Sequence, residues 1–412
     1  MPNSDYKLLI SGFIGAGNFG DELILAVLID QIRKRIEGSV KFSVLSFNPE
    51  ETRNFHNVEA VFRPDFSRLY FKPKVLWNLI RYIIASDGVL IGGGGLLQDL
   101  HSYLTIPRYL HTAILAKLFK KQIFYVGLGI GPVRCRIAKK LIRICLKNAD
   151  FISVRDKASK DFLEKLGLES NKINLAIDPV LMIAEHPEVH RYIRKDSNNK
   201  KKPTRFAIAV RDFRLNNLNV TILARLFDYI SEELGAEVVF VSMNPNLDQK
   251  AGKRVIQRMR NDAIVLNKLN SPIELIKEFV KYDVIISMRL HGAICGIALG
   301  IPTIGLSYDD KVKNFFSSLG ISEFCLELSQ LDYNKLRDLV NFIIYNYQEV
   351  KNKISTAKID CQKIAENNFS FISLMRNKQC IPISIMDCLT GILVTLSMIF
   401  IHYSQRRSYH FI

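Results

Sequence analysis

Cysteine is sparse in this 412-residue chain and shows no pairing pattern. The seven cysteines are scattered and odd in number, and none forms a Cys-x-x-Cys motif. This spacing excludes a disulfide framework and the common zinc patterns, so we expect most of them to be small core residues in a reducing compartment. The first residues also lack the charged head, apolar core and cleavage site of a secretory signal. We therefore expect a cytoplasmic location.

Several motifs of enzyme chemistry are also absent. The sequence has no H-E-x-x-H pair, no G-x-S-x-G turn and no paired-carboxylate motif, so we expect no metal and no cofactor. Acidic residues are outnumbered, with 40 Asp and Glu against 57 Lys and Arg, a formal charge of +17. This excess indicates an anionic partner, but no nucleic-acid motif accompanies it, so we expect no nucleic acid.

The composition that remains is that of a globular protein. Hydrophobic residues make up 48% and charged residues 24%, which excludes disorder and collagen-like repeats as the main state. Short apolar runs alternate with helical patterns from the start, at residues 7–13, 41–47, 88–91, 123–127, 151–154 and 173–177. Continuous apolar runs are typical of strands covered by helices on both faces, so the pattern predicts a parallel α/β sheet.

The alternation stops in a basic segment, where residues 191–205 hold seven Lys or Arg and one Asp. It restarts with apolar runs at 206–210, 237–242, 263–266, 284–287 and 303–306. We predict two Rossmann-like domains facing across a cleft. The predicted bounds are an N-terminal domain at 1–188, a basic linker at 189–204, a C-terminal domain at 205–370 and a hydrophobic tail at 371–412.

Within the tail, residues 381–403 are about long enough to span a bilayer. Pro382 and Asp387 interrupt this stretch and leave an uncharged run of only 14 residues, 388–401. Two interpretations stay open. The segment inserts into a membrane or anchors at its surface, or it forms a helix packed on the protein or on a partner.

Ligands of parallel α/β sheets bind beyond the carboxyl ends of the strands, so the residues there are the first candidates. The first strand is followed by three glycines in G-x-G-x-x-G spacing, Gly15, Gly17 and Gly20. A dinucleotide would meet the carboxylates of Asp21 and Glu22 at this turn, which argues against that ligand. We favour a turn whose backbone N–H groups, with Asn18 and Asp21, bind a polar ligand. The alternative is a plain helix cap with an acidic first turn.

Two further glycine-rich segments follow the third and fourth predicted strands. Residues 92–95 are four successive glycines, with Asp99 shortly after them, and residues 127–132 contain three more glycines. Glycine lets the backbone approach a ligand closely. We therefore predict ligand-facing loops, with Gly93, Gly94 and Asp99 among the binding residues.

Basic side chains follow other strands. Arg155 comes after the run 151–154, and two arginines, Arg211 and Arg214, follow the run 206–210. Arg289 and His291 follow the run 284–287 in an Arg-Leu-His motif. Arginine offers a planar fork for phosphate or carboxylate, and histidine can donate a proton near neutral pH. These residues predict an anion-binding cleft, although a surface ion pair with Asp156 is the alternative for Arg155.

The chain resembles the polysaccharide pyruvyl transferase family in the sequence and the order of six segments. They are 17–22, 92–99, 127–132, 153–156, 178–179 and 287–291. The resemblance spans about residues 7–320 and is strongest to the branch that acts on secondary cell-wall polymers. Leu128 departs from the family pattern, which has Gln there. The resemblance implies a GT-B-like fold and transfer of the enolpyruvyl unit of phosphoenolpyruvate onto two hydroxyls of a glycan sugar. The products would be a pyruvate ketal and phosphate, and the acceptor a polysaccharide or lipid-linked oligosaccharide.

The resemblance also implies roles for the candidate residues. His291 or Arg155 would protonate the methylene carbon of phosphoenolpyruvate, and we favour His291 because arginine is a poor proton donor near neutral pH. Arg289 would hold the departing phosphate, and Asp21 or Asp99 would orient or deprotonate the acceptor hydroxyl. Two other functions stay open: a GT-B glycosyltransferase that uses a nucleotide sugar, and a membrane-associated, non-catalytic protein of polysaccharide assembly.

Overall fold

The chain folds into two α/β units in the computed structural model, which describes residues 5–64, 73–100, 102–195, 205–266, 269–375, 377 and 379–408. Among these residues, the first unit holds those up to 16, 24–179 and from 364 onward, and the second holds 17–23 and 180–363. The domain bounds expected from sequence stay predictions. Residues 196–204 of the expected linker lie outside the described residues, whereas 189–195 belong to a helix.

The first unit is built on a sheet of seven parallel strands in the order β3-β2-β1-β4-β5-β6-β7. Its strands are β1 (Tyr6–Ser11), β2 (Val40–Ser46), β3 (Glu59–Phe62), β4 (Gly88–Leu97), β5 (Gln122–Ile130), β6 (Phe151–Val154) and β7 (Asn174–Leu175). The helices between them are α1 (Phe19–Arg35), α2 (Pro49–His56), α3 (Pro73–Ala85), α4 (Thr105–Leu118), α5 (Arg136–Lys147) and α6 (Lys157–Lys165). The central strands are buried almost throughout because helices cover both faces.

The second unit repeats this architecture with six parallel strands in the order β10-β9-β8-β11-β12-β13. Its strands are β8 (Arg205–Ala209), β9 (Glu237–Val241), β10 (Ile264–Leu266), β11 (Val284–Ser287), β12 (Thr303–Ser307) and β13 (Cys325–Glu327). Its helices are α7 (Pro187–Lys195), α8 (Asn217–Glu232), α9 (Pro245–Ile256), α10 (Pro272–Phe279), α11 (Leu290–Leu299), α12 (Asp310–Ser318), α13 (Tyr333–Tyr345) and α14 (Tyr347–Ala365).

The prediction of two Rossmann-like α/β units is confirmed. Sequence patterns missed β3 and β13, which are short edge strands whose side chains are mostly half-buried or exposed. Such strands lack the continuous apolar run that marks a strand buried on both faces. In each sheet the strand order reverses beside the first strand, between β1 and β4 and between β8 and β11. Ligands of open α/β sheets bind at such switch points.

The end of the chain packs on the first unit. After α15 (Ile372–Met375), α16 (Ile385–Ser408) lies against α4 and α5, and Cys388, Val394 and Met398 join the core there. Of the two interpretations of this segment, the packed helix is the one observed, while membrane contact through 381–403 stays a prediction. Within the described part of the chain, no helix is both long and apolar enough to cross a membrane.

Candidate functional site

The second unit places Arg289 and His291 at its switch point. Since β11 ends at Ser287 and α11 begins at Leu290, Arg289 is the N-cap residue and His291 lies in the first turn. Ser287 shapes this connection, because its Oγ donates to the Arg289 carbonyl at 2.7 Å and accepts from the Arg289 N–H at 3.1 Å. The start of a helix carries a partial positive charge and favours anions. The local fold therefore directs a guanidinium, an imidazole and a helix N-terminus to one place.

Arg289 is held by Asp248 of α9. Its Nε donates to the two carboxylate oxygens at 3.0 and 3.2 Å, and its Nη2 also bonds the Asp248 carboxylate. Both side chains are largely buried. A guanidinium bound through two nitrogens is fixed in its plane. The orientation of Arg289 is thus set by the protein itself.

The same carboxylate organises the connection from β9 to α9. Asp248 Oδ2 accepts from the N–H groups of Met243 at 3.1 Å and Asn244 at 2.9 Å. Sequence reasoning did not include Asp248 among the site residues. The signal available was its place in the first turn after a strand end, but its partner Arg289 is 41 residues away. Only the tertiary fold joins the two.

The segment 17–23 belongs to the second unit and contacts the same site. A Cβ atom on Gly20 would collide with the His291 ring at Nδ1 and Cγ, so Gly20 leaves the space that the imidazole occupies. The N–H of Phe19 donates to the Met243 carbonyl at 3.0 Å. The third glycine of the G-x-G-x-x-G spacing therefore accommodates a histidine of the protein.

Asn18 and Asp21 form the polar part of this segment. The Asn18 side-chain amide donates to the Asp21 carboxylate, and the Asn18 carbonyl accepts from the N–H of Asp21 at 3.2 Å. Gly17 precedes them with a φ of 71°, a conformation that favours glycine. The three predicted residues of this turn, Gly17, Asn18 and Asp21, are thus brought into the unit that holds Arg289 and His291.

Arg211 and Arg214 converge on Tyr308, which follows β12. Arg211 Nη1 donates to the Tyr308 hydroxyl at 2.9 Å, and Arg214 Nη1 donates to the Tyr308 carbonyl at 3.0 Å. Phe213 packs edge-on against the Tyr308 ring, with 5.6 Å between ring centroids. Both guanidinium groups also lie over the Phe213 ring, at 5.2 and 5.5 Å. The two arginines form an aromatic–cationic cluster that joins the ends of β8 and β12.

Arg155 lies in the first unit, where it forms a buried ion pair. Its Nη1 donates to Asp178 Oδ2 at 3.0 Å, and both side chains are buried. The contact with Asp156, which was the alternative interpretation of Arg155, is longer at 3.8 Å. The guanidinium lies against Gly129, where a Cβ would come within 2.7 Å of Nε. Gly129 is therefore needed for the packing of Arg155.

The prediction that residues 92–95 form a loop is wrong, because these glycines lie inside β4, which continues to Leu97. Gly93 has a φ of 77°, and a Cβ there would collide with Ile24 of α1. The neighbouring Gly94 also has a positive φ, of 82°. The glycine run lets α1 pack closely on the sheet. Similarly, the segment 127–132 is mostly strand, since β5 extends to Ile130.

Asp99 follows β4 and binds main-chain groups ahead of α5. Its carboxylate accepts from the N–H of Arg134 at 2.9 Å and from the N–H of Cys135 at 2.7 Å. The side chain is buried. These contacts favour a role in positioning the start of α5. Ligand binding by Asp99, Gly93 and Gly94 stays a prediction.

Comparison with known sequences connects this site with polysaccharide biosynthesis. Residues 18–310 match the family model described as polysaccharide pyruvyl transferase. The match covers the Asn18–Asp21 turn, Arg155, Asp248, Arg289 and His291. The amylovoran biosynthesis protein AmsJ of Erwinia amylovora is 20% identical over 317 residues, which are 72% of this chain and 75% of AmsJ.

Solved structures resemble the whole architecture at low sequence identity. S. aureus MnaA with UDP has a TM-score of 0.60 at 11% identity, covering 90% of this chain and 97% of MnaA. The UDP-GlcNAc 2-epimerase of Methanocaldococcus jannaschii has a TM-score of 0.58 at 14% identity, covering 88% of this chain and 100% of the epimerase. At these identities the likeness concerns the fold, which is the GT-B-like type expected from sequence.

Proposed function

Because this chain belongs to the polysaccharide pyruvyl transferase family, we propose that it transfers the enolpyruvyl unit of phosphoenolpyruvate onto two hydroxyls of a glycan sugar. Membership makes it a transferase of polysaccharide biosynthesis, and the proposal adds the donor and the ketal product. The observation that carries the proposal is the Arg289–Asp248 pair beside His291 at the start of α11. The donor is a small, strongly anionic molecule, which such a site suits.

Binding of the donor follows from the charges of the site. Arg289, oriented by Asp248, and the N-terminus of α11 together bind the phosphate group. Their attraction for the phosphate grows as negative charge develops on the departing oxygen, which is how a preorganised site lowers a barrier. Arg211 and Arg214 of the aromatic–cationic cluster supply further positive charge for the donor carboxylate.

The chemistry requires one proton at carbon. His291 donates it to the methylene carbon of phosphoenolpyruvate, which becomes the methyl group and leaves an oxocarbenium centre at C2. The first sugar hydroxyl forms a C–O bond at C2. The bond between C2 and the oxygen that carries the phosphoryl group then breaks, which releases phosphate. The second hydroxyl closes the ketal ring. One hydroxyl proton returns His291 to its protonated form and the other leaves with phosphate, so the atoms balance.

The acceptor is a polysaccharide or its lipid-linked oligosaccharide precursor. Asp21 and its partner Asn18 lie in the same unit as His291 and offer a carboxylate and an amide that orient a sugar hydroxyl. Arg155, paired with Asp178, is the less suitable proton donor, because a guanidinium group does not give up a proton near neutral pH. A cytoplasmic location, the secondary cell-wall branch and membrane contact through 381–403 stay predictions.

A nucleotide-sugar transferase is the second candidate, because one structure of similar fold contains UDP. The two candidates predict different donors. The experiment incubates the full chain with phosphoenolpyruvate, or separately with UDP-sugars, and with polysaccharide from a strain that lacks this gene. We expect release of inorganic phosphate with phosphoenolpyruvate and a new ketal methyl signal in the NMR spectrum of the glycan. Turnover of UDP-sugars alone would contradict the proposal, and no turnover of either donor would favour a non-catalytic assembly protein.

The role of His291 is tested in the same assay. His291→Ala should abolish phosphate release while the circular dichroism spectrum and the unfolding midpoint stay close to the parent values. His190→Ala is the matched control, because His190 is an exposed histidine of α7. Equal rates for His291→Ala and the parent protein would disprove the assignment of the proton donor.

A further inference from the structure

The outward face of α16 carries a row of exposed apolar side chains. They recur at helical spacing as Ile385, Met386, Leu389, Leu393 and Leu396, with exposed fractions between 51% and 79%. The opposite face is fixed in the core of the first unit through Cys388, Val394 and Met398. Folding of this unit therefore leaves the apolar row in water. Apolar patches of this kind mark interaction surfaces.

A basic row lies on α5, one of the two helices against which α16 packs. Four exposed side chains three or four residues apart, Arg136, Lys140, Arg143 and Lys147, share one face of α5. The sequence of α5 contains no Asp or Glu.

The adjoining face of α5 contacts α16. A Cβ on Gly391 would lie 3.9 Å from Ile144 Cγ2, and Asn148 Nδ2 donates to Asp387 Oδ2 at 3.4 Å. Lys140 precedes Ile144 by one helical turn, and residues four apart are neighbours on a helix surface. The basic row therefore lies next to the face of α5 that packs on α16.

We propose that these two rows form one docking surface for an anionic lipid bilayer. Leucine, isoleucine and methionine side chains enter the boundary between headgroups and acyl chains, while lysine and arginine remain at the level of the lipid phosphates. Because the inner face of α16 is packed against α4 and α5, the helix lies in the plane of the interface. Both rows belong to the first unit, whereas Arg289 and His291 belong to the second, so the surface goes beyond the transfer chemistry.

Charge complementarity decides between a lipid surface and a second copy of this chain. A twofold contact through this face would bring two copies of the same basic row into one interface, because a symmetric interface uses the same patch on both subunits. The second copy offers no acidic residue of α5 to pair with that row, so the contact would add like charge. An anionic bilayer instead neutralises the row and accepts the apolar side chains at the same time.

The test is flotation of the full-length protein with vesicles of phosphatidylcholine alone or mixed with phosphatidylglycerol. We expect binding to the mixed vesicles only, and weaker binding as salt is raised. Lys140→Gln with Arg143→Gln should lower partitioning by about 30-fold, since each basic residue near an anionic surface contributes about a factor of 5 to binding. Leu389→Gln with Leu393→Gln should lower it by about 100-fold or more, because two buried leucines are lost from the interface.

Matched controls carry equivalent changes elsewhere. Leu218→Gln alters an exposed leucine of α8, and Lys351→Gln with Lys363→Gln removes two exposed charges from α14. These variants should bind vesicles like the parent protein. All variants should keep the parent unfolding midpoint and the parent rate of phosphate release from phosphoenolpyruvate with a soluble acceptor. Vesicle binding that survives the two leucine changes would overturn the proposal. Failure of the parent protein to bind the mixed vesicles would also overturn it. The same holds if sedimentation then shows a dimer that the two leucine changes dissociate, since a second copy of the chain would be the occupant.

Discussion

The carboxylate of Asp248 binds the guanidinium of Arg289 through Nε and Nη2, and the same carboxylate accepts the N–H groups of Met243 and Asn244. One buried side chain thus fixes both the arginine at the start of α11 and the connection between β9 and α9. A charge that is already oriented stabilises a transition state without a reorganisation cost at the moment of reaction. Asp248 is therefore a positioning residue of the proposed site.

Replacing Asp248 with Asn tests this role. The amide oxygen can still accept from the main chain, but the negative charge that holds Arg289 is lost. We expect kcat/KM for phosphoenolpyruvate to fall by about 100-fold, the scale of loss when a charged group moves by about 1 Å. The measurement is the initial rate of phosphate release. Asp262→Asn, an exposed aspartate, is the control, and an unchanged kcat/KM in Asp248→Asn would remove Asp248 from the mechanism.

Arg289→Lys should lower kcat by about 100- to 1,000-fold, the usual effect of losing one group that stabilises transition-state charge. Lysine keeps the positive charge but cannot bind a carboxylate and a phosphate at once with a planar fork. The same change at the half-buried Arg337, which pairs with Asp338, should leave the rate unaltered. Parent-like kcat in Arg289→Lys would show that charge alone suffices and that the orientation by Asp248 is irrelevant.

Gly20→Ala tests the contact of the first turn of α1 with His291. The new methyl group would collide with the imidazole, so the ring must move, and we expect loss of most phosphate release with lower stability. Gly252→Ala is the matched control, because it lies in helix α9 and its nearest neighbour is an ordinary 3.5 Å from the added Cβ. Alanine there should raise the free energy of unfolding by about 0.5–1 kcal/mol. Full activity in Gly20→Ala would contradict the observed packing of His291.

These residues also show what the sequence could and could not predict. The run 284–286 is continuously apolar, so a buried strand ending before Arg289 and His291 was predictable from local pattern. The Asp248–Arg289 pair was not, because it depends on the strand order, which places β9 and β11 on either side of β8. Residues 92–95 were misread as a loop, since four glycines weaken a strand unless close packing requires them. The requirement comes from Ile24, which contacts Gly93 and is distant in sequence.

The last prediction concerns the attachment of the C-terminal segment. Lys117 forms a buried ion pair with Asp150 at 2.6 Å and donates to the Ile381 carbonyl at 2.9 Å, while Asp150 accepts from the Ile381 N–H at 2.5 Å. Lys117→Met leaves the Asp150 carboxylate without its buried cation, which should lower the free energy of unfolding by about 3–5 kcal/mol. Urea denaturation measures this loss, and limited proteolysis should show earlier cleavage before α16.

Lys313→Met is the matched control for Lys117→Met. Lys313 pairs with Glu327 at 2.5 Å, but both side chains are exposed to solvent. Exposed pairs contribute about 0–1 kcal/mol because water screens them and the side chains lose freedom on pairing. The two lysine changes should therefore differ by at least about 2 kcal/mol. Equal losses would mean that burial of the Lys117–Asp150 pair does not secure the segment before α16, and that the attachment comes from other contacts, such as the apolar contacts of Cys388, Val394 and Met398.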